Sequence, residues 1–141
     1  MLNLQRYEEA ITSYARVIQS KPHLVEAWYN RGVALINLQG NEDAFVSFDR
    51  VIQLKSDFSD AWFNRGLALF NLKRYEEAVA SFDRVIQLNP GMAEVWLFRG
   101  SSLGELQRYA EALVCGDQAI QVKPELIECW CVRGIIFAKL R

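Results

Sequence analysis

The tryptophans of this chain, Trp28, Trp62, Trp96 and Trp130, stand 34 residues apart, and there are no others. A fixed period of about 20 to 50 residues marks a repeat architecture, in which each unit buries its apolar face only by stacking on its neighbours. The same step links Arg31, Arg65, Arg99 and Arg133, and then Gly32, Gly66, Gly100 and Gly134. It also joins Ala10, Ala44, Ala78 and Ala112; Ile18, Ile52, Ile86 and Ile120; and Pro22, Ser56, Pro90 and Pro124. No insertion breaks the register, so the strings AWYNRG at Ala27 and AWFNRG at Ala61 are the same structural element written twice.

Inside one period, apolar residues recur twice at helical spacing with a short polar break between. Trp62, Leu69 and Leu72 mark a first helix and Ala78, Phe82, Val85 and Ile86 a second. Each repeat is therefore a helical hairpin, and the chain an all-α stack of them. The sequence places Pro90 and Pro124 in the first turn of a helix, where a missing N–H costs nothing, and Ser56 as a cap where proline is absent. Gly40 is expected to punctuate one hairpin turn, with Lys73-Arg74 and Gln107-Arg108 serving at the others. Glycine inside a helix costs about 1 kcal/mol relative to alanine, so the glycine column needs a packing reason. The alanine column is the expected partner, with the tryptophan sealing the contact against the preceding repeat. On that reading Trp62→Ala costs about 3 to 5 kcal/mol.

The period, with Trp62, Gly66, Tyr75, Ala78, Phe82 and Pro90 at their offsets, resembles the tetratricopeptide repeat (TPR) over the whole chain. The resemblance implies a right-handed α-solenoid of antiparallel hairpins. One column departs from the family: where leucine is common, this chain has Arg31, Arg65, Arg99 and Arg133. Asp49, Asp83 and Asp117 lie one helix later, and pairs within a repeat, such as Arg31 with Asp49, are expected. The register divides the chain into a partial repeat at 1–22, repeats at 23–56, 57–90 and 91–124, and a first helix without its second at 125–141. Met1 to Leu4 match the end of a first helix. Two compatible expectations follow: an excerpt of a longer protein, and a module whose ends complete each other. In the second case Ile11, Tyr14 and Ile18 at one end would meet Ile135, Ile136, Phe137 and Leu140 at the other, head to tail.

Sixteen basic residues against seventeen acidic ones give no footprint for nucleic acid, and no run approaches the roughly 18 apolar residues of a membrane span. Three cysteines, two of them Cys129 and Cys131, make no disulfide framework and point to a reducing compartment, the cytoplasm. Catalysis finds little support. His23, the single histidine, lies between helices; Cys129-X-Cys131 has no partners for a zinc set; and phosphate-binding glycine loops are absent. The expectation is a protein that is not an enzyme and uses no cofactor or metal.

The family resemblance implies a concave groove lined by first helices, holding an extended peptide or partner helix. The matching positions are Tyr29, Asn30, Val33 and Asn37; Phe63, Asn64, Leu67 and Asn71; and Leu97 and Phe98, with Glu105 extending the stripe. Asparagine offers two donors and an acceptor, which suits a ligand backbone of any sequence. Glu26, Asp60, Glu94 and Glu128 form an acidic column at first-helix starts, favoured by the helix dipole and, if it borders the groove, unfavourable to an acidic ligand. The carboxylate clamp of chaperone-binding relatives has only Asn64 in place, and an asparagine ladder has only Asn30 and Asn64. The third full repeat is irregular: the column of Tyr14, Phe48 and Phe82 becomes Gly116, and that of Ile36 and Phe70 becomes Gly104. Trp130 or Ile127 is expected to fill the space, the alternative being an apolar pocket beside Cys115. The function expected is a protein-binding scaffold. The alternatives are self-assembly through the end helices, or a regulatory or targeting segment of a longer multidomain protein.

Overall fold

The computed structural model describes residues 2–140, so the expectation for Met1 lies outside it. Eight helices follow in order: α1 (Leu2–Ser20), α2 (Val25–Asn37), α3 (Asn41–Leu54), α4 (Ser59–Asn71), α5 (Tyr75–Leu88), α6 (Ala93–Glu105), α7 (Tyr109–Val122) and α8 (Ile127–Lys139). Consecutive helices pack as antiparallel neighbours along the whole series. Beyond that, α2 touches α4, α4 touches α6 and α6 touches α8, whereas α1, α3, α5 and α7 make no such contacts among the described residues. A stack in which one set of helices is more closely spaced than the other must curve toward the closer set. The first helices therefore line the inside of the bend.

Hairpin turns close by a Schellman motif, the bonding pattern that satisfies the last helical carbonyls. Gly40 N–H donates to Leu35 O at 2.8 Å and Gln39 N–H to Ile36 O at 2.9 Å, a pattern repeated from Arg74 and Lys73 and from Arg108 and Gln107. The left-handed residue is Gln39, Lys73 or Gln107, each at φ 61°. Gly40 itself has φ −81°, so its expected role as the turn's special residue is corrected. The left-handed position costs a non-glycine residue about 1–2 kcal/mol, offset here by pairing two helices. Gln5 occupies the same column, yet α1 passes through it as uninterrupted helix. Leu2 to Leu4 thus continue α1 rather than end a separate helix.

The junctions between hairpins also differ from expectation. Helices begin at Val25, Ser59, Ala93 and Ile127, so Pro22, Pro90 and Pro124 precede the first turn, and Ser56 makes no capping bond. Instead the carbonyls at 22, 56, 90 and 124 accept the indole N–H of Trp28, Trp62, Trp96 and Trp130 at 2.9, 2.8, 3.3 and 3.0 Å. The tryptophan thus ties its own helix to the turn that brings the chain in. Trp62 is only half-buried, which puts its truncation at the lower end of the expected cost.

Glycines Gly32 and Gly66 lie under the rings of Phe48 and Phe82, where an added Cβ would come within 2.7 and 2.5 Å of ring carbons. Their partner is the phenylalanine column, not the alanine column. The ring is the larger apolar group, and the absence of a side chain at glycine lets it pack directly against the helix backbone. In the third repeat Gly100 instead faces Cys115 Cβ, at 3.1 Å from a built Cβ.

In the arginine column, Arg65 and Arg99 each clamp three helices. Arg65 Nη1 donates to Ser81 Oγ within its own hairpin at 2.6 Å, while Nε reaches back to Asp49 Oδ1 of the previous one at 3.1 Å. Arg99 repeats this with Cys115 Sγ at 2.9 Å and Asp83 Oδ1 at 2.6 Å. Arg133 bonds Asp117 at 2.7 Å and Arg31 bonds Ser47 at 2.5 Å. The expected pairing of Arg31 with Asp49 is therefore wrong by one repeat. Ser47 and Asp49 are two apart on α3, about 200° around the helix, so only one of them can face α2.

Candidate interaction site

The inner face is built from α2, α4, α6 and α8, and much of it is occupied by the protein itself. Tyr29 lies 5.8 Å from the Phe48 ring and 4.9 Å from that of Phe58, and its hydroxyl accepts a bond from Asn64 Nδ2 at 3.1 Å. Burial, followed by the negative charge of Asp60, raises the phenol's pKa, with the Asn64 bond opposing them. Asn64 thus commits one amide donor internally and joins two repeats. Asn71 donates to Asn41 Oδ1 at 3.1 Å and Asn37 to its own helix at Val33 O, 2.9 Å. Both remain exposed, as does Asn30, for which the structure gives no side-chain partner among the described residues.

Val33, Phe63, Leu67, Leu97 and Phe98 are half-buried. Phe63 packs against Phe82 at 6.0 Å and Phe98 at 5.9 Å, so the middle of the face is an aromatic floor rather than free side chains. The asparagines at 30, 37 and 71 stand above it as the accessible polar groups.

Toward α8 the floor opens. A pocket of about 330 Å³ lies among Gly100, Ser101, Gly104, Glu105, Gln107, Tyr109, Val132, Ile135, Ile136 and Lys139. Neither residue expected to fill the space does so: Trp130 is 51% exposed and Ile127 74%. At Gly116 the vacancy is taken by Arg133, whose Cβ lies 3.6 Å from a built Cβ. At Gly104 a built Cβ meets nothing within 4 Å among the described residues. The pocket is therefore beside Gly104 on the inner face and not beside Cys115. Gln107, Tyr109 and Lys139 line this pocket but are not among the expected groove residues, although the alignment of Tyr109 with Tyr75 is a usable signal.

Of the end residues, Ile11, Tyr14 and Ile18 are half-buried, and Ile11 packs on the α2–α3 core. Ile135, Phe137 and Leu140 are exposed, but Ile136 is 4% exposed in the core with Leu103 and Cys115. Ile136 is thus a core residue, because it is the member of its pair that points back at α6 and α7. No group of three metal-ligating side chains converges among the described residues, and no helix there is long and apolar enough to cross a membrane.

Profiles of the tetratricopeptide repeat match residues 25–58 and 59–92, and a TPR repeat profile matches 2–39. Among solved structures the chain is similar to MamA (residues 41 to end) from Desulfovibrio magneticus RS-1, at 22% identity and TM-score 0.90, covering 94% of this chain and 75% of that one. It is similar to YrrB, described as a TPR protein with an unusual peptide-binding site, at 22% identity and TM-score 0.86, covering 92% and 67%. It also resembles the first TPR of Spaghetti (RPAP3) bound to the HSP90 peptide SRMEEVD, at 18% identity and TM-score 0.79, covering 82% and 92%. At these identities the likeness is one of fold. A comparison with curated proteins finds no match. The unbroken 34-residue register, the curved stack of hairpins that it produces and the three profile matches make this chain a member of the tetratricopeptide repeat family.

Proposed function

We propose that this chain is a non-catalytic scaffold that holds an extended peptide or a partner helix along its inner face. The observation that carries the reading is the closer spacing of α2, α4, α6 and α8, which makes a continuous concavity with exposed amides at Asn30, Asn37 and Asn71 over an aromatic floor. A bound backbone can pair with those amides while its side chains rest on apolar surface. YrrB and the first TPR of Spaghetti, by their descriptions, have a peptide-binding site and a bound peptide, which supports a peptide as the ligand class. The exposed acidic column disfavours an acidic one. A cytoplasmic setting belongs to this proposal and rests on the three free thiols.

Tyr29→Ala with Asn64→Ala is a poor test, because both side chains hold the fold together. Asn30→Arg with Asn71→Arg changes exposed positions instead. Peptides selected from a random library on the wild-type chain should lose at least about 10-fold in affinity for this variant, read by fluorescence anisotropy. Equal binding by a folded variant would place the peptide elsewhere and defeat the proposal.

A specific observation favours self-assembly as a second reading. Gly134 has nothing within 4 Å of a built Cβ among the described residues, although its counterparts Gly32 and Gly66 lie under phenylalanine rings. Tyr14 and Ser13 stand in the columns of Phe48 and Ser47, so α1 of a second copy carries a ring for Gly134 and a hydroxyl for Arg133. Ile135, Phe137 and Leu140 add exposed apolar surface there. Sedimentation velocity across a concentration series tests this reading: Phe137→Glu should abolish any concentration-dependent growth, and a wild type that stays monomeric at high concentration rules it out.

A further inference from the structure

In the second full repeat the Phe70 ring fills the inner face, edge-on to Tyr75 at 5.5 Å and to Phe98 at 5.6 Å. One period later those three positions are Gly104, Tyr109 and Val132, and all three line the pocket of about 330 Å³. The walls that would hold a ring are kept while the ring itself is gone. Ser101, in the column of Leu67, further widens the opening. Buried Ile136 and half-buried Tyr109 and Val132 supply apolar walls, and exposed Glu105 and Lys139 bring one charge of each sign. The volume lies at the lower end of the range of ligand pockets, about 300–1,000 Å³, and suits one side chain better than an elaborate small molecule.

We propose that the Gly104 pocket is the specificity site of the groove and receives one aromatic side chain from the bound peptide, which takes the place that Phe70 fills in the repeat before. This rests on the groove reading above. Tyr109 then has the edge-to-face partner that Tyr75 has in Phe70, a contact that an aliphatic side chain does not supply. Ring-bearing anchors in enclosed pockets are the residues that dominate peptide and protein interfaces.

The pocket is tested apart from the groove with N-acetyl-phenylalaninamide, titrated into ¹⁵N-labelled protein, with N-acetyl-leucinamide as control. Saturable shifts confined to the amides of Gly104, Tyr109, Val132 and Ile135, given by the phenylalanine probe alone and lost in Gly104→Phe, support the site. Gly104→Phe has room for its Cβ and is checked by its melting temperature; Gly104→Leu replaces it if the ring variant misfolds. The peptides selected on wild type should share an aromatic residue and lose about 30-fold or more in affinity for the filled variant. No shift with the phenylalanine probe, equal shifts with the leucine probe, or peptides that bind the filled variant as well as wild type would each overturn the pocket, and peptides still bound by wild type would leave the groove reading standing. If no peptide binds wild type but the probe saturates the pocket, the groove reading fails and the peptide source of the ring is overturned in favour of a free aromatic molecule.

Discussion

Replacing Arg65 by leucine, the residue common at this column in the family, isolates what the arginine column contributes. Arg65 is 17% exposed and Asp49 36%, so their ion pair sits partly in solvent and contributes at most about 1 kcal/mol. Ser81 is different: at 0% exposure its hydroxyl oxygen cannot turn to water, and losing the guanidinium leaves it without its donor. An orphaned buried polar atom costs about 1–3 kcal/mol. The sum for Arg65→Leu is about 1–4 kcal/mol, a downward shift of roughly 0.5–2 M in the urea midpoint at a slope of about 2 kcal/mol/M. Adding Ser81→Ala removes the orphan and should restore about 1–2 kcal/mol.

Urea titrations of the wild type, both single variants and the double variant, followed by far-UV circular dichroism, close the cycle. A coupling below about 0.5 kcal/mol would mean that Ser81 does not depend on Arg65 and would refute the reasoning. Salt separates the two parts of the clamp. The Asp49 contribution should fade near 1 M NaCl, whereas the Ser81 contribution should persist. Arg31 offers the internal control, since Ala15 replaces its aspartate and only the bond to Ser47 remains; Arg31→Leu should therefore show little salt dependence.

Gly66→Ala should destabilise by about 1–3 kcal/mol, since the added methyl meets Phe82 at 2.5 Å, while Gly104→Ala and Gly134→Ala in open space should gain up to about 1 kcal/mol from helix propensity; thermal melts of the three variants check the order. Exposed Cys131 should react with iodoacetamide in the native protein, while Cys115 and Cys129, buried and with thiol pKa values raised chiefly by that burial, should label only on unfolding, as peptide mass mapping will report. Bonds from Arg74 and Arg108 lower the pKa of Glu77 and Glu111, so their contribution is present above the unfolded carboxylate value of about 4.3 and is lost as pH falls through the lower folded values. Arg74→Ala with Arg108→Ala should flatten that acid limb in melts taken below about pH 4.3, and an unchanged limb would assign it to other carboxylates.

The hairpins were legible because each period repeats the same apolar pattern, and four tryptophans in register fix how the chain from Val25 onward is divided into helices. Which neighbour each column touches was harder to read, because a repeat offers two copies of every contact, one within the unit and one across its boundary. Arg65 could meet Asp83 or Asp49 at nearly equal sequence distance, and it takes Asp49 because Ser81 already occupies the side of α5 that faces α4. The angular separation of Ser and Asp on their helix contained this answer. The glycine's partner was a question of volume: alanine and phenylalanine both recur, but the phenylalanine ring needs the bare backbone, as Gly32 and Phe48 show.

The candidate site divides by the same logic. Tyr29, Asn64, Phe63 and Phe98 stand at groove positions, yet each is engaged with another part of the protein, so their presence there reflects the needs of stacking. A position that serves stacking must suit every repeat, whereas a position that serves a ligand need suit only one. Gly104 breaks the column of Ile36 and Phe70 and leaves open space on the inner face; Gly116 breaks that of Phe48 and Phe82 and is filled by Arg133. Only the first departure leaves a surface that another molecule can reach. In a repeat protein, then, the regular columns report how the units hold together, and recognition is to be sought where a column fails and the structure does not repair it.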